Sequence, residues 1–426
     1  DMTQNAMEIL EQRGYIDWCS NRDGLAALYG SEIVTAYVGF DPTADSLHVG
    51  HLIPLMGLAW MQRLGHRPIA IAGAGTGLIG DPSGKSKERN LLTLEKMAEN
   101  LAAVKPQLAH FLDFDCGKNS ALMVNNYDWL GKLGFIEFLR DTGKHFSVNY
   151  LISKEYVRSR LDDPEKSISF TEFSYTLLQA FDFWHLYRTY GCRLQMGGND
   201  QQGNIVSGIE LIRKKESVEA FGGTNPLLLT SAGTKFGKTE GGAVWLDPVK
   251  TSPYKFYQFW INTEDAAIGK LLKFFTFLPL DEIADIAASH AAAPEKREGQ
   301  KILAAEVTKI VHGERALATA RKASDILFGG DLEPADLTEE TLDALAEEVP
   351  TGNASALPAP VVDLLVESGA TASKSEARRL IRGGGVSLNG RKIDDESFQA
   401  TAGDLLAGKR LFVRLGKKRI HLIHLA

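Results

Sequence analysis

Residues 38–54 read VGFDPTADSLHVGHLIP, and the way this stretch divides decides the fold. It opens at the end of an apolar run, Ile33 to Phe40, with the length and composition of a buried strand. It breaks at Asp41-Pro42, then re-enters an apolar pattern at helical spacing after His48-Val49-Gly50-His51. Two imidazoles thus flank a glycine where a helix presents unpaired N–H groups and the positive end of its dipole, an arrangement that favours an anion such as a phosphate. The plainer reading is an ordinary strand-to-helix turn carrying two surface histidines, and the stretch alone does not choose between them. Pro54 lacks a backbone donor and fits only near a first turn, so the helix behind the histidines is expected to start late, near Gly50, or to bend.

Outward from this stretch, the same strand-then-polar-turn order recurs. Residues 67–74 (RPIAIAGA) form a continuous apolar run, read as a second buried parallel strand, and feed the glycine-dense GTGLIGDPSGK of 75–85. Asp81 there is placed to hold a buried ammonium. Lys85, Lys87 and Arg89 sit on a Gly/Ser-rich loop that, alone, reads as solvated surface. Residues 91–111 read as a helix, 121–125 as a short strand, and 193–196 as another, followed by the Gly-flanked polar turn GGNDQQGN of 197–204. A last short strand is expected at 225–230, running into Lys235-Phe236-Gly237-Lys238-Thr239, where two lysines in a glycine-rich loop suit phosphate contact or a flexible surface loop equally.

Between these turns, FTEFSYTLLQAFDFWHLYRTY (170–190) is helical, with Tyr175, Gln179 and Asp182 spaced to share one face. Three polar groups on a greasy helix are either a satisfied core network or a pocket for a small amphipathic ligand. The aromatics of 127–150 (Trp129, Phe135, Phe138, Phe146) are core or a subunit interface, the interface being favoured. Residues 2–29 read as amphipathic helix covering an edge. Beyond Pro253 the pattern is successive helices to Phe328, then an Asp/Glu/Pro/Ala-rich linker to 358 with at most one short helix near 338–346. A compact tail follows, in which Ser373 or Ser375 caps a helix and Asn389-Gly390 turns a hairpin.

The 426 residues suffice for two or three domains, and 44% hydrophobic with 24% charged content is that of a globular protein. Cys19, Cys116 and Cys192 lie far apart without metal-ligand spacing, so neither a disulfide framework nor a metal site is expected and a reducing cytoplasm fits. The N-terminus has the character of neither a signal nor a transit peptide, and no stretch is apolar enough to span a membrane. The net charge of −7 is unevenly spread: residues 372–426 hold 12 Lys+Arg against 5 Asp+Glu. A basic tail on an acidic body makes RNA a candidate partner of that tail.

HVGH at a first strand-to-helix turn and KFGKT near the end of an α/β region resemble the paired motifs of class I aminoacyl-tRNA synthetases. YVGFDPTADSLHVGH, LIGDPSGK, FTEFSYTLLQAFDF and KFGKTEGGAVWLD, in this order, resemble the bacterial tyrosyl-tRNA synthetase family over essentially the whole chain. SKSEARRLIRGGGVSLNGRKI is similar to a small RNA-binding module shared with a ribosomal protein and pseudouridine synthases. The resemblance implies an α/β catalytic domain at 1–230 with a Rossmann-like, doubly wound parallel sheet, a KFGKT catalytic loop at 231–250, an all-α domain at 251–328, the linker at 329–358, and a basic α+β RNA-binding module at 359–426. It implies activation of L-tyrosine by ATP, transfer to tRNA(Tyr), a homodimer, Mg²⁺ carried on the phosphates, and no tightly bound cofactor.

Position by position, the resemblance assigns Tyr37 and Asp182 to the phenol hydroxyl, Asp81, Tyr175 and Gln179 to the α-ammonium, and Gln195 and Gln201 to pocket support. Asp41 contacts substrate and Gly39 permits close approach. Thr43, His48, Gly50 and His51 take the ATP phosphates and ribose, Gly198 and Asp200 the ribose. Lys85, Arg89, Lys235, Lys238 and Thr239 take the leaving pyrophosphate. Three positions depart from the family pattern: Gln202 stands where tryptophan is usual, Val38 where cysteine is common, and Val49 where isoleucine or leucine is. Competing readings are a tryptophanyl enzyme, which a hydroxyl-binding Tyr/Asp pair disfavours, a small-molecule nucleotidylyltransferase, and a catalytically silent RNA-binding paralogue.

Overall fold

The computed structural model describes residues 4–83, 92–328 and 333–425, which fall into two compact units. The first holds residues up to 250 together with 263–303; the second holds 251–262 and 304 onward.

The first unit is built on a six-stranded sheet, β1 (Trp18–Cys19), β2 (Thr35–Phe40), β3 (Arg67–Ala72), β4 (Leu122–Asn125), β5 (Leu194–Gly198) and β6 (Phe221–Asn225), in the order β1-β6-β5-β2-β3-β4. β2 to β6 are mutually parallel and β1 is an antiparallel edge. Residues in β2 and β3 are buried almost throughout, as a parallel strand covered on both faces requires. The chain winds outward from β2 in both directions, through β3 and β4 on one side and β5 and β6 on the other. The switch point therefore lies between β2 and β5, and a crevice opens beyond their C-terminal ends.

Pro54 sits where expected. A single 3₁₀ turn at Val49–His51 leads into the helix Leu52–Arg63, so the proline occupies the first α-turn, where a missing donor costs nothing. The helix Phe170–Tyr190 starts at Ser169, whose hydroxyl accepts the Glu172 N–H, and stops at Gly191 in the left-handed region.

Several expectations need correction. Residues 2–29 are two helices, Ala6–Arg13 and Arg22–Ser31, with β1 between them. The last parallel strand lies upstream of 225–230, at Phe221–Asn225. There Gly222 lets the strand approach Ile205, where a Cβ would stand 2.2 Å from its Cγ2, a close contact that hydrophobic runs do not signal. Within the loop expected at 231–250, the end of KFGKT forms a tight hairpin, β7 (Lys238–Thr239) against β8 (Gly242–Ala243).

The second unit contains a five-stranded sheet in the order β12-β11-β14-β15-β9, from β9 (Thr351–Ala354), β11 (Val386–Leu388), β12 (Arg391–Ile393), β14 (Arg410–Leu415) and β15 (Arg419–Leu425); β10 (Ala359–Pro360) and β13 (Gln399–Ala400) pair separately. Asn389 and Gly390 have φ of 51° and 80°, the left-handed pair a two-residue hairpin needs. Ser373 is the cap of the helix Lys374–Arg382. The expected linker at 329–358 is structured where described. The helix Glu339–Ala346 buries Leu342 and Leu345 against Phe412 and Leu422, and β9 pairs in parallel with β15. The helices expected together at 251–328 divide between the two units. Among the described residues, no helix is long and apolar enough to cross a membrane.

Candidate active site

A cleft of about 600 Å³ opens at the switch point of the first unit. Its walls include Tyr37, Gly39, Asp41, His48, Gly50, His51, Asp81, Tyr175, Gln179, Asp182, Gln195, Gly198, Asp200, Gln201, Lys235 and Lys238. Sixteen positions singled out from sequence thus meet in one cavity. Thr43 instead lines a neighbouring cavity of about 100 Å³ behind His48 and His51. Thr239 is exposed on the hairpin, its hydroxyl donating to the Gly242 carbonyl at 3.3 Å. Lys85 and Arg89 lie outside the described residues.

At the deep end, Tyr37 sits on β2 beside Gln195 of β5 and Ile69 of β3, with its ring edge-on to Phe183. Among the described residues its buried hydroxyl has no hydrogen-bond partner, and neither has the Gln195 Oε1. Burial and the neighbouring Asp182 push the phenol pKa well up. Asp182 accepts from Asn126 Nδ2 at 2.9 Å and from Trp129 Nε1 at 2.7 Å. Burial still raises its carboxyl to about 7, these two donors offsetting only part of the desolvation. A phenol hydroxyl without a partner beside a carboxylate with room for another donor is a site short of one O–H group.

A second polar cluster lies at the middle of the cleft. Asp81 Oδ2 accepts from Gln201 Nε2 at 2.8 Å, its Oδ1 accepts the Ser83 N–H at 2.9 Å, and Gln179 Nε2 donates to Gln201 Oε1 at 3.1 Å. Burial raises the Asp81 pKa and these donors pull it back. Tyr175 is buried close enough to Asp81, Asp41 and Asp182 for all three to raise its pKa further. Carboxylates gathered at one depth of the cleft suit an ammonium.

The outer end is the HVGH turn. The Gly50 N–H donates to His48 Nδ1 at 3.1 Å and the His48 N–H donates to His51 Nδ1 at 3.1 Å, a reciprocal cap over the first turn. With both Nδ1 atoms accepting, each neutral ring carries its proton on Nε2. Burial, with Lys238, lowers the His48 pKa; burial, with His48, lowers His51 to about 3. A Cβ at Gly50 would stand 2.8 Å from the His48 ring, so the turn requires glycine.

The KFGKT hairpin is pinned to this turn. The Val49 N–H donates to the Val244 carbonyl at 2.9 Å, His48 bridges to Trp245, and the Val244 N–H donates to the Gly237 carbonyl at 3.1 Å. Gly237, at φ 87°, lies so close to Val49 that a Cβ would approach it to 3.0 Å. The side chains of Lys235 and Lys238 are exposed at the cleft mouth.

Sequence reasoning missed the residues that hold the site residues in place. Asn126 donates to both Asp182 and Thr76 Oγ1, Trp129 fixes the other Asp182 oxygen, and Asn204 Nδ2 donates to Ser83 Oγ and Gln201 Oε1. Asn126 follows the end of β4 just as Asp41 follows β2, and that strand-end position was the available signal. Gln202, in place of the family tryptophan, is exposed at the start of the helix Gln202–Glu216.

Comparison with known proteins identifies the family. The profile described as "tRNA synthetases class I (W and Y)" matches residues 31–329, and that described as "Tyrosine--tRNA ligase SYY-like C-terminal domain" matches 341–423. The tyrosine–tRNA ligase of Roseiflexus castenholzii is 52% identical over 95% of this chain and 96% of its own length; that of Geobacillus stearothermophilus is 51% identical over 98% and 99%. The crystal structure of a truncated mitochondrial tyrosyl-tRNA synthetase from Aspergillus nidulans is 32% identical with a TM-score of 0.67, covering 74% of this chain and 92% of its own. A tryptophanyl-tRNA synthetase from Encephalitozoon cuniculi shares the fold at 15% identity, with a TM-score of 0.52 over 79% of this chain and 89% of its own. The chain belongs to the tyrosyl-tRNA synthetase family of class I.

Proposed function

We propose that this chain activates L-tyrosine with ATP, releasing pyrophosphate, and passes the tyrosyl group to the terminal ribose of tRNA(Tyr). The observation that carries the tyrosine reading is the unpartnered Tyr37 hydroxyl beside Asp182. A phenol O–H donates to the Asp182 carboxylate and accepts from Tyr37, and phenylalanine leaves the buried Tyr37 hydroxyl unpaired and Asp182 short of a third donor. Asp81, with Tyr175 and Gln179, receives the α-ammonium, while Gln195 and Gln201 support the pocket, Asp41 contacts the substrate and Gly39 leaves room for it.

The tyrosine carboxylate then attacks the α-phosphorus of ATP, and negative charge grows on the phosphate oxygens and the departing pyrophosphate. His48 and His51 offer Nε2–H donors and the helix behind them its N-terminal N–H groups, with Gly50 allowing close approach; Gly198 and Asp200 meet the ribose. Lys235 and Lys238, with Lys85, Arg89, Thr43 and Thr239, complete the electrostatic support for the pyrophosphate. No covalent intermediate with the protein is required, because orientation and preorganised donors supply the rate. The phosphate end offers imidazoles and ammonium groups rather than clustered carboxylates, so a Mg²⁺ would be held by the nucleotide's own oxygens, where it would neutralise their charge.

The second unit binds the tRNA body. Arg379, Arg391, Lys417 and Lys418 are all exposed there. In the first unit Phe135, Ile136 and Val148 are 67%, 73% and 61% exposed, an apolar surface that supports pairing with a second copy of the chain. The exposed Cys116 thiol suits a reducing cytoplasm. The deciding experiment is pyrophosphate exchange into ATP with tyrosine, phenylalanine or tryptophan: tyrosine alone should support it, and exchange with tryptophan but not tyrosine refutes the assignment.

A further inference from the structure

One aromatic contact links the two motifs at the wall of the cleft, which Phe236 and Phe275 both line. The helix Ile268–Phe275 ends in Phe275, only 1% exposed, whose ring stacks on Phe236 with centroids 5.7 Å apart and planes 20° apart. Phe236 lies between Lys235 and Gly237 and is half-buried; in residues 234–240 only it and the buried Gly237 are not exposed. It anchors the first arm of the hairpin, as the buried Val244 does beyond the second. The end of that helix is itself held firmly. Arg13, 2% exposed, gives its guanidinium N–H groups to the carbonyls of Lys273 and Thr276, each at 3.2 Å, and to that of Leu278. The Tyr15 hydroxyl donates to the Phe274 carbonyl at 2.7 Å. A cation over carbonyls at the C-terminal end of a helix gains from its dipole. The same guanidinium lies 3.7 Å from the Trp60 ring, on the helix that begins at the HVGH turn, and Trp60 meets Phe277 at 5.6 Å. The helix behind the first motif and the hairpin of the second are thus packed on one rigid element.

We propose that Phe275 is a positioning residue for tyrosine activation: its ring seats Phe236 and so fixes where Lys235 and Lys238 stand relative to the HVGH turn. This rests on the activity proposed above. Lys235 and Lys238 serve the departing pyrophosphate and not the amino acid, so loosening their anchor slows the chemical step and leaves tyrosine binding alone. Leucine keeps an apolar group of similar reach without the ring face.

The test is tyrosine-dependent pyrophosphate exchange by the full chain carrying Phe275→Leu. We expect kcat to fall about tenfold or more, the scale of a small misplacement of catalytic groups. The KM for tyrosine and the tyrosine-induced rise in melting temperature should be kept. In a Lys238→Ala background the same substitution should cost little more, since both act through one loop. Ile268→Val, in the first turn of the same helix, should lower thermal stability without lowering kcat. If Phe275→Leu does not fold, Phe236→Leu puts the same question from the other side of the contact. A loss matched by tyrosine KM, a full additional loss on top of Lys238→Ala, or a loss no larger than that of Ile268→Val overturns the proposal. Absence of exchange in the unmodified chain would instead refute the activity on which it rests.

Discussion

The two ends of the cleft are built on opposite principles. At the deep end Tyr37 and Asp182 are buried, fixed by strand register and by Asn126 and Trp129, before any ligand arrives. At the mouth Lys235 and Lys238 are exposed on a hairpin, anchored to the protein through Phe236 and Gly237. On the proposed function, recognition rests on desolvated, interlocked groups, while charge for the reaction stays solvated until the nucleotide arrives. A buried unpaired lysine would be expensive, whereas a buried hydroxyl awaiting another hydroxyl is tolerable.

The largest effect that can break this contrast is on selection. Asp182→Asn should cut the preference for tyrosine over phenylalanine in exchange kcat/KM by about 10³ or more; the ceiling of about 10⁴–10⁵ is a benchmark set by synthetases of this same specificity. An unchanged preference would mean the deep end does not read the phenol. At the mouth, Lys238→Ala or His48→Ala should lower exchange kcat by about 10²–10³. Tyrosine affinity measured by calorimetry should move by no more than about twofold. Equal losses of affinity and rate would erase the division of labour.

Acid sharpens the comparison more gently. On the proposed reading Asp182 accepts the phenol O–H only when ionised, and burial raises its carboxyl to about 7. Tyrosine affinity should therefore weaken as pH drops below 7, approaching about tenfold per unit, with Asp81, also raised by burial, acting in the same direction. Folding stability moves the other way. The folded chain holds the Asp182 proton more tightly than the unfolded chain, so this contribution is complete below the ordinary carboxylate value of 3.8 and is lost as pH rises through about 7. Asp182→Asn should flatten both profiles, and a tyrosine affinity indifferent to pH between 6 and 8 would place the ionisation elsewhere.

The smallest effect concerns the second unit. Removing Arg379 and Arg391 together should lower the salt slope of tRNA binding by about 1–2 while leaving exchange unchanged. A truncation at 359 is a poorer tool, because it would strip β9 of its partner β15 and uncover Leu342 and Leu345.

The parallel strands β2 to β5, the late helix start at Pro54 and the polar face of Tyr175, Gln179 and Asp182 were legible because burial and periodicity write them locally; β6 was expected at 225–230, downstream of its place at Phe221–Asn225. β1 and β9 were not legible: each is a short strand whose partner lies far away in sequence, Thr224 for Trp18 and Leu422 for Thr351, and pairing at such range leaves no periodic trace. Within the site, the residues facing the cleft carry recognisable chemistry, but Asn126 and Trp129 announce themselves only when β4 is seen to deliver them beside Asp182. Phe275 reads as one more core aromatic until the KFGKT hairpin is found lying on it.

The reciprocal cap of the HVGH turn has a further consequence, in heat and protons. His51 sits at about 3 with its Nδ1 already occupied, so to gain a proton near neutrality it would have to climb about four units, several kcal/mol of interaction beyond an ordinary phosphate contact. On the proposed function it stays a neutral donor before and after the nucleotide enters. Nucleotide binding at neutral pH should consequently draw no proton through this ring, and His51 should contribute nothing to a dependence of the measured binding heat on the ionisation enthalpy of the buffer.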